Sequence, residues 1–449
     1  MTPLETASAV HSALPPSGLF HEKVWRIAAC PFPLPEGLAE ELPKLGHRLT
    51  LFLRACDQLY RQSVKGRQPA WVADLLDAGK PAALVAFQRE CGIAGDIPRV
   101  IRPDLVLTEA GYTIAEIDSV PGGIGLTAWL NKTYAALGCE VLGGLDGMLH
   151  GFANILPGGD ILVSDEAATY RPEMEWLAAE LNASPAAEAS WRVLDASPRP
   201  DWQPNLYRFF ELFDLANVPA AGRICEGIRD KSLRVTPPFK PALEEKLWFA
   251  LFWLRPLEKF WRRELSERVF LALQKVIPYT WLVDPTPLPR HAVLPRLEAQ
   301  SWDEVARFSQ KRRQFILKIS GFSERAWGAR GVTVASDLPQ REWQTALEEA
   351  LAAFGHQPHI LQVFHPGKLF DTSYWLPGAD ALMPMRGRVR LCPYFFVGEK
   401  STTCGGALAT ICPDDKKVLH GMRDAILAPA GFSRAADWGN LPTEACRSC

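Results

Sequence analysis

The sequence has no apolar run long enough to cross a bilayer. Its most apolar stretch, Leu247-Trp-Phe-Ala-Leu-Phe-Trp-Leu254, is eight residues long, and Arg255, Glu258 and Lys259 soon interrupt it. A spanning helix needs about 20 apolar residues. Net charge is also scarce: forty-nine basic residues face fifty-one acidic ones, a formal balance of −2. No strong field therefore directs the chain to nucleic acid or an anionic membrane. The first twenty residues lack the basic start and apolar core of a secretory signal. A cytoplasmic chain with its ten cysteines reduced is expected.

Further absences exclude particular chemistries. His356 and His359 are three apart, but Gln357-Pro358 between them argues against one helical face. Ser119 has no local base, so no nucleophile elbow is present. No glycine-rich stretch ends in the GK[ST] of a P-loop. Cys446-Arg-Ser-Cys449 lacks both the second ligand pair of a zinc site and the strand-to-helix setting of a redox pair. There is no internal repeat and no heptad pattern.

With 449 residues the chain is too long for one ordinary core, and hydrophobic residues make up 47% of it. Residues 1–95 read as mostly helical, with apolar periodicity over Leu42–Arg61 and Trp71–Phe87. Residues 96–150 hold an acidic hairpin, then a helix from Leu126 to Leu137 stopped by Gly138. Over 151–236 a strand (Ile161–Ser164), a helix (Tyr170–Leu181) and a strand (Trp191–Leu194) suggest a βαβ unit with a parallel sheet. Pro237-Pro238 opens a larger region, 237–427. It has an apolar helix from Leu243 to about Leu265, a helix over Trp302–Lys311, and strands at Phe315–Lys318, Ile360–Phe364 and Val389–Val397. A glycine-rich bend is expected at Thr403–Ala409, and a tail without periodicity follows over 428–449.

The acidic hairpin carries the most chemistry. Ile101–Gly125 reads as two strands joined at Glu109-Ala110-Gly111. Folded about Ala110, Asp104 faces Glu116 and Arg102 faces Asp118. Residues two apart on a strand share a face, so one surface gathers an arginine and three carboxylates. Directly opposed carboxylates destabilise a bare hairpin, whereas Mg²⁺ takes one or two carboxylates beside phosphates. A solvated acidic face is the competing reading.

The second half supplies positive charge. Lys318 ends the strand Phe-Ile-Leu-Lys and leads into a loop with Gly321, Gly328 and Gly331, whose backbone N–H groups suit an anion. Arg325 and Arg330 add charge there. Lys240 and Lys246 flank the start of the apolar helix, placed to reach a phosphate or to snorkel. Arg386, Arg388 and Arg390 alternate, so all three share a strand face that fits phosphate or carboxylate recognition. A solvated edge strand fits equally well.

Arg102-x-Asp104 followed by Glu116-x-Asp118 resembles the metal-binding hairpin of ATP-grasp ligases, which usually carry Arg-x-Asp and Glu-x-Asn. Here the hairpin precedes the lysines, the order of the circularly permuted branch that includes glutathionylspermidine synthase. Pro237–Lys246 is similar to that branch's first nucleotide-lysine segment. Lys318, Ser320 and Gly321 resemble its second lysine and phosphate lid. Gln362, Val363 and Phe364 resemble the hinge strand whose backbone bonds adenine. Departures are Asp118 for the usual Asn, Gln362 where many members have Glu, and a bulky lid. The N-terminal region shows no thiol-amidase features.

The resemblance implies an α/β (α+β) class: a circularly permuted ATP-grasp fold with a small pre-ATP-grasp βαβ domain and a helical N-terminal region. It further implies a ligase that joins a small-molecule or peptide carboxylate to an amine, or a thiol, through an acyl phosphate. ATP and Mg²⁺ (or Mn²⁺) would be required. Asp104, Glu116 and Asp118 would face the metal, Lys246 and Lys318 the nucleotide, and Arg102 and Arg390 the reacting groups. A small-molecule kinase and a catalytically degenerate nucleotide-binding protein are the alternatives. Neither nucleic acid nor membrane is an expected partner, and the oligomeric state is open.

Overall fold

A computed structural model describes residues 1–15, 25–183, 190–197, 201–326, 330–419 and 424–432. Cys446, Cys449 and lid residue Gly328 lie outside them. The chain forms two units. One comprises Met1–Leu53, Gly92–Phe239 and Pro366–Cys449, the other Arg54–Cys91 and Lys240–His365. No helix among the described residues is long and apolar enough to cross a membrane.

The first unit is built on an eight-stranded sheet. Its order runs Leu369–Trp375, Arg26–Ala28, Ile426–Phe432, Thr402–Pro413, Met383–Val397, Val100–Thr108 and Gly111–Asp118. Phe32–Leu34 adds to Ile426–Phe432 in parallel, as Arg26–Ala28 does. Helices Ile124–Ala136 and Gly147–Ala153 cover the centre, where Trp129, Leu130, Phe152, Phe396 and Leu408 share one core.

Two expectations fail here for one reason. Thr403–Ala409 is not a bend but part of the strand Thr402–Pro413. A Cβ on Gly405 would stand 2.5 Å from the Phe396 ring and 2.8 Å from the Gly147 carbonyl, so this glycine serves close packing rather than turning. Nor does the chain fray at Ala428, because Ile426–Phe432 is a buried inner strand. Buried on both faces, it has no alternation to betray it.

A second sheet in the same unit has four parallel strands in the order Trp191–Asp195, Gly159–Val163, Asn205–Phe209, Arg234–Thr236. Helices Arg171–Ala183 and Ala221–Arg229 connect them. This is the βαβ arrangement expected from the hydrophobic pattern.

The other unit has an antiparallel sheet ordered Val332–Val334, Phe315–Ile319, His359–Val363, Thr280–Leu282. Helix Gln340–Ala352 contributes Trp343, Leu347 and Ala350 to its core. The long helix expected from Leu243 to Leu265 is broken into Leu247–Trp253 and Glu258–Leu265. Pro256 is the cause: it has no N–H to continue the α-helical ladder, so Leu254 turns extended at φ −71°, ψ 119° and Arg255–Leu257 start afresh as a 3-10 turn. Gly79 and Pro81 likewise divide Trp71–Phe87 into Ala70–Asp77 and Ala82–Gln88. The helix at Trp302 stops at Ala306. Six indoles in this unit (Trp248, Trp253, Trp261, Trp281, Trp302, Trp343) donate to backbone carbonyls, and three of them, Trp253, Trp302 and Trp281, pin the proline-rich connection at Pro278, Asp284 and Pro295.

Candidate functional site

The hairpin of the first unit keeps the expected partners by a different route. The connection has two residues, Glu109-Ala110, not three, because Thr108 pairs with Gly111 at φ 126°. A regular ladder from that turn would oppose Asp104 to Ala115 and Pro103 to Glu116, sending both acids of the second strand to the other face. A bulge between Asp104 and Leu105 absorbs Ala115. It restores Asp104 opposite Glu116 and Arg102 opposite Asp118.

The charges on this face are tightly paired. Arg102 sets Nε 3.1 Å from Asp104 Oδ1 and Nη2 3.0 Å from Asp118 Oδ2, and its Nη1 donates to the Gly122 carbonyl at 3.1 Å. Arg390 donates to Asp104 Oδ2 at 3.1 Å, and the Cys392 thiol lies 3.4 Å from Asp104 Oδ1. Burial disfavours the guanidinium charge of Arg390, but Asp104 and the neighbouring Cys392 and Cys412 together outweigh it and hold the group protonated. Arg102 is held likewise, against burial, by Asp104 and Asp118. Burial, seconded by Asp104, pushes the Cys392 thiol up to about 12. The Asp118 carboxyl lies above its ordinary range because burial, Glu116 and Asp104 outweigh the opposing Arg102. Nearby positive charge would relieve that cost.

The loop after the hairpin is anchored on three sides. Tyr394 donates to the Gly122 carbonyl at 2.7 Å, and buried Glu173 accepts from the amides of Gly123 and Leu126 at 2.7 and 3.1 Å. Gly123 has φ +87°, a conformation that favours glycine. Sequence reasoning missed Cys392, Tyr394 and Glu173. The first two continue the alternation of Arg386, Arg388 and Arg390 along Met383–Val397, so extending that pattern would have found them. Arg388 serves structure, donating to the Gly367 carbonyl at 3.2 Å. Among the described residues no three of His, Cys, Asp and Glu group so as to hold a metal ion.

In the other unit, Lys318 is 5% exposed and donates to Gln362 Oε1 at 2.8 Å across adjacent strands. Gln362 in turn donates to Thr280 at 3.3 Å. The Lys246 ammonium donates to the Ala326 carbonyl at 3.0 Å. Ser320 is buried, accepts from the Leu247 amide at 2.9 Å and donates to Glu245. Gly321 lies against the Glu244 carbonyl, which a Cβ would approach to 2.6 Å. The amides of Val363 and Phe364 donate to the carbonyls of Tyr279 and Gln314, each at 3.0 Å. Lys240 forms a buried pair with Asp57 at 2.7 Å, which removes it from the candidate phosphate groups. Lys80 and Glu245, also ion-paired and buried, carry no sequence signal of their own.

A cleft of about 890 Å³ in the first unit is lined by Arg99, Arg234, Lys400 and His150 among others, and by none of the residues singled out from sequence.

No family model matches the chain, and no curated protein matches it in sequence. Solved structures do. The chain is similar to the apo form of a glutathione synthetase-like effector from Globodera pallida, at 12% identity and a TM-score of 0.57, covering 96% of each chain. It also matches a structure assigned as a gamma-glutamylcysteine synthetase from Methylobacillus flagellatus, at 13% identity and a TM-score of 0.41, over 87% of this chain and 91% of that one. The chain thus shares its mixed α/β fold with that effector along nearly its whole length.

Proposed function

We propose that this chain is an ATP- and Mg²⁺-dependent ligase joining a carboxylate to an amine, or to a thiol, through an acyl phosphate, on a circularly permuted ATP-grasp fold. The observation that carries the reading is the single face shared by Arg102, Asp104, Glu116 and Asp118, recovered by the bulge at Ala115. An unbulged hairpin would scatter these groups. The fold likeness to a glutathione synthetase-like protein supports it independently.

The roles follow from chemistry. Lys246 and Lys318, with Ser320 and Gly321, neutralise triphosphate oxygens; Gln362, Val363 and Phe364 flank the base. Phosphoryl transfer needs such charge stabilisation rather than a protein nucleophile. Both oxygens of Asp104 face arginine and one also meets Cys392, while Asp118 is held by Arg102 and by the Val120 amide at 2.9 Å. Glu116, with Asp118 beside it, is therefore the first candidate to hold Mg²⁺, and Asp104 fixes the arginines behind them. Two carboxylates suit that ion beside phosphates, and when bound it would supply positive charge to the phosphate oxygens. A substrate carboxylate oxygen attacks the γ-phosphorus and ADP leaves. The amine then attacks the acyl carbon, phosphate departs and the amine loses a proton. Arg102 and Arg390 stabilise the charge on the acyl phosphate. Use of ATP fits a cytoplasmic chain acting on small molecules.

A second reading, a nucleotide-binding scaffold without turnover, is favoured by the engagement of the metal-facing carboxylates Asp104 and Asp118 with Arg102 and Arg390. The test is thermal stability with a non-hydrolysable MgATP analogue, for wild type and Glu116→Gln, followed by phosphate release over panels of acids and amines. A Mg²⁺-dependent rise that shrinks in the variant, with release needing both substrates, is expected. Stabilisation without release across the panels favours the scaffold. Stable phosphorylated product without an acceptor marks a kinase. No shift at saturating nucleotide overturns the nucleotide site.

A further inference from the structure

Beneath the two lysines of the second unit lies a charged network that neither lysine's proposed role explains. Lys80, in the connection between Ala70–Asp77 and Ala82–Gln88, pairs with Glu245; the two side chains are 1% and 3% exposed. Glu245 takes the Ser320 hydroxyl with its other oxygen. Ser320 then accepts the Leu247 amide on its hydroxyl at 2.9 Å and the Lys246 amide on its carbonyl at 2.9 Å. One carboxylate thus ties the residue two beyond Lys318 to the residue that follows it in sequence, Lys246.

Two further observations bear on what this network does. A Cβ on Gly321 would meet the Glu244 carbonyl at 2.6 Å and the Glu245 carboxyl carbon at 2.9 Å, so the loop after Ser320 is pressed directly onto this carboxylate. The Lys80 ammonium also stands 5.6 Å from the centre of the Phe322 ring, in the same loop. A buried ion pair is seldom worth more to stability than a well-packed apolar pair of the same volume. Here its bonds converge on the backbone that carries two cationic side chains.

We infer that Lys80, Glu245 and Ser320 form a positioning network that fixes the backbone of Lys246 and the loop following Lys318 in the shape that presents both ammonium groups to one phosphate chain. The inference deepens the nucleotide reading and rests on it for the ligand. The ligand class is a polyphosphate anion, for which separation of the two ammonium groups matters more than their number. Lys80 and Glu245 act through Lys246 and Ser320 and do not themselves contact it.

The test replaces Lys80 and Glu245 together by Met and Leu in the full chain. The readouts are the unfolding midpoint, amide exchange at Lys246 and Leu247, and affinity for MgADP. The apolar pair is expected to keep the midpoint near wild type while the two amides lose protection and affinity falls roughly tenfold, since small misplacements forfeit oriented contacts. Ser320→Ala, which leaves the ion pair intact and removes the hydroxyl that joins Glu245 to the Leu247 amide, should fall between. Should the double variant unfold, Ser320→Ala carries the same readouts. Retained protection at both amides overturns the inference, whatever happens to nucleotide. Lost protection with unchanged affinity overturns it as well. If wild type binds no nucleotide while the amides still lose protection, the nucleotide reading falls and the positioning of Lys246 stands.

Discussion

Arg390 donates to Asp104 at 3.1 Å, joining side chains 286 positions apart in the chain. The bond crosses from Met383–Val397 to the neighbouring strand Val100–Thr108. It makes Asp104 the common partner of two half-buried arginines.

That relationship separates the carboxylates of the hairpin. Asp104→Ala leaves both guanidinium groups short of their shared counter-charge and should cost about 3–5 kcal/mol. Glu116→Gln, at a half-buried position, should stay within about 1 kcal/mol of wild type. Urea unfolding of the two variants measures the difference; equal losses would refute the division of labour.

Asp118 offers a change in the opposite direction. Its carboxyl is raised by burial, then by Glu116 and Asp104, against the pull of Arg102, so the fold pays to keep it ionised. Asp118→Asn keeps the shape and removes the charge. The variant should be more stable at neutral pH, seen as a higher thermal midpoint. A lower midpoint would mean that its bond to Arg102 outweighs the burial.

His359 makes stability depend on pH. Burial lowers its pKa below 6.5; Arg325 and His356 push the same way, while the Gln357 carbonyl and Glu349 oppose. Above 6.5 the ring is neutral in both folded and unfolded chains. As pH falls below 6.5 the unfolded chain takes up the proton first, so stability is lost from there down to the folded value. The urea midpoint should decline between about pH 7 and 5, and His359→Gln should flatten that decline. His365 is lowered by burial too, so the double replacement should flatten it further. An unaltered slope would rule out both rings.

Gly405 tests the packing of the large sheet. With the Phe396 ring 2.5 Å and the Gly147 carbonyl 2.8 Å from an added Cβ, Gly405→Ala should cost about 1–3 kcal/mol. Gly222→Ala, where nothing lies within 4 Å, serves as the control. Equal effects at both positions would contradict the close-packing account.

Legibility in the sequence followed how local each cause was. The βαβ unit at Gly159–Asp195 was readable because strand and helix periods alternate over a short stretch. The facing of Asp104 and Glu116 was readable although the turn was misjudged: a turn one residue shorter and a bulge of one residue cancel in the register. Buried strands such as Ile426–Phe432 and Thr402–Pro413 escaped because neither alternates. Glu245 and Lys80 are paired across 165 positions, and nothing near either residue announces the other. The Pro256 break was open to inspection and was overridden by the strength of the apolar pattern around it.

The strand Ile426–Phe432 lies between Thr402–Pro413 and the early strand Arg26–Ala28. During translation the early strand therefore leaves the ribosome before either of its neighbours, Leu369–Trp375 and then, about four hundred residues on, Ile426–Phe432. At about 5–20 residues per second, that wait is roughly 20–80 s. Through that interval an unpaired sheet edge is open to the cell. The burden of keeping this protein from aggregating accordingly falls on the nascent chain, and a ribosome stall shortly before Ile426 should be more harmful than one soon after Phe432.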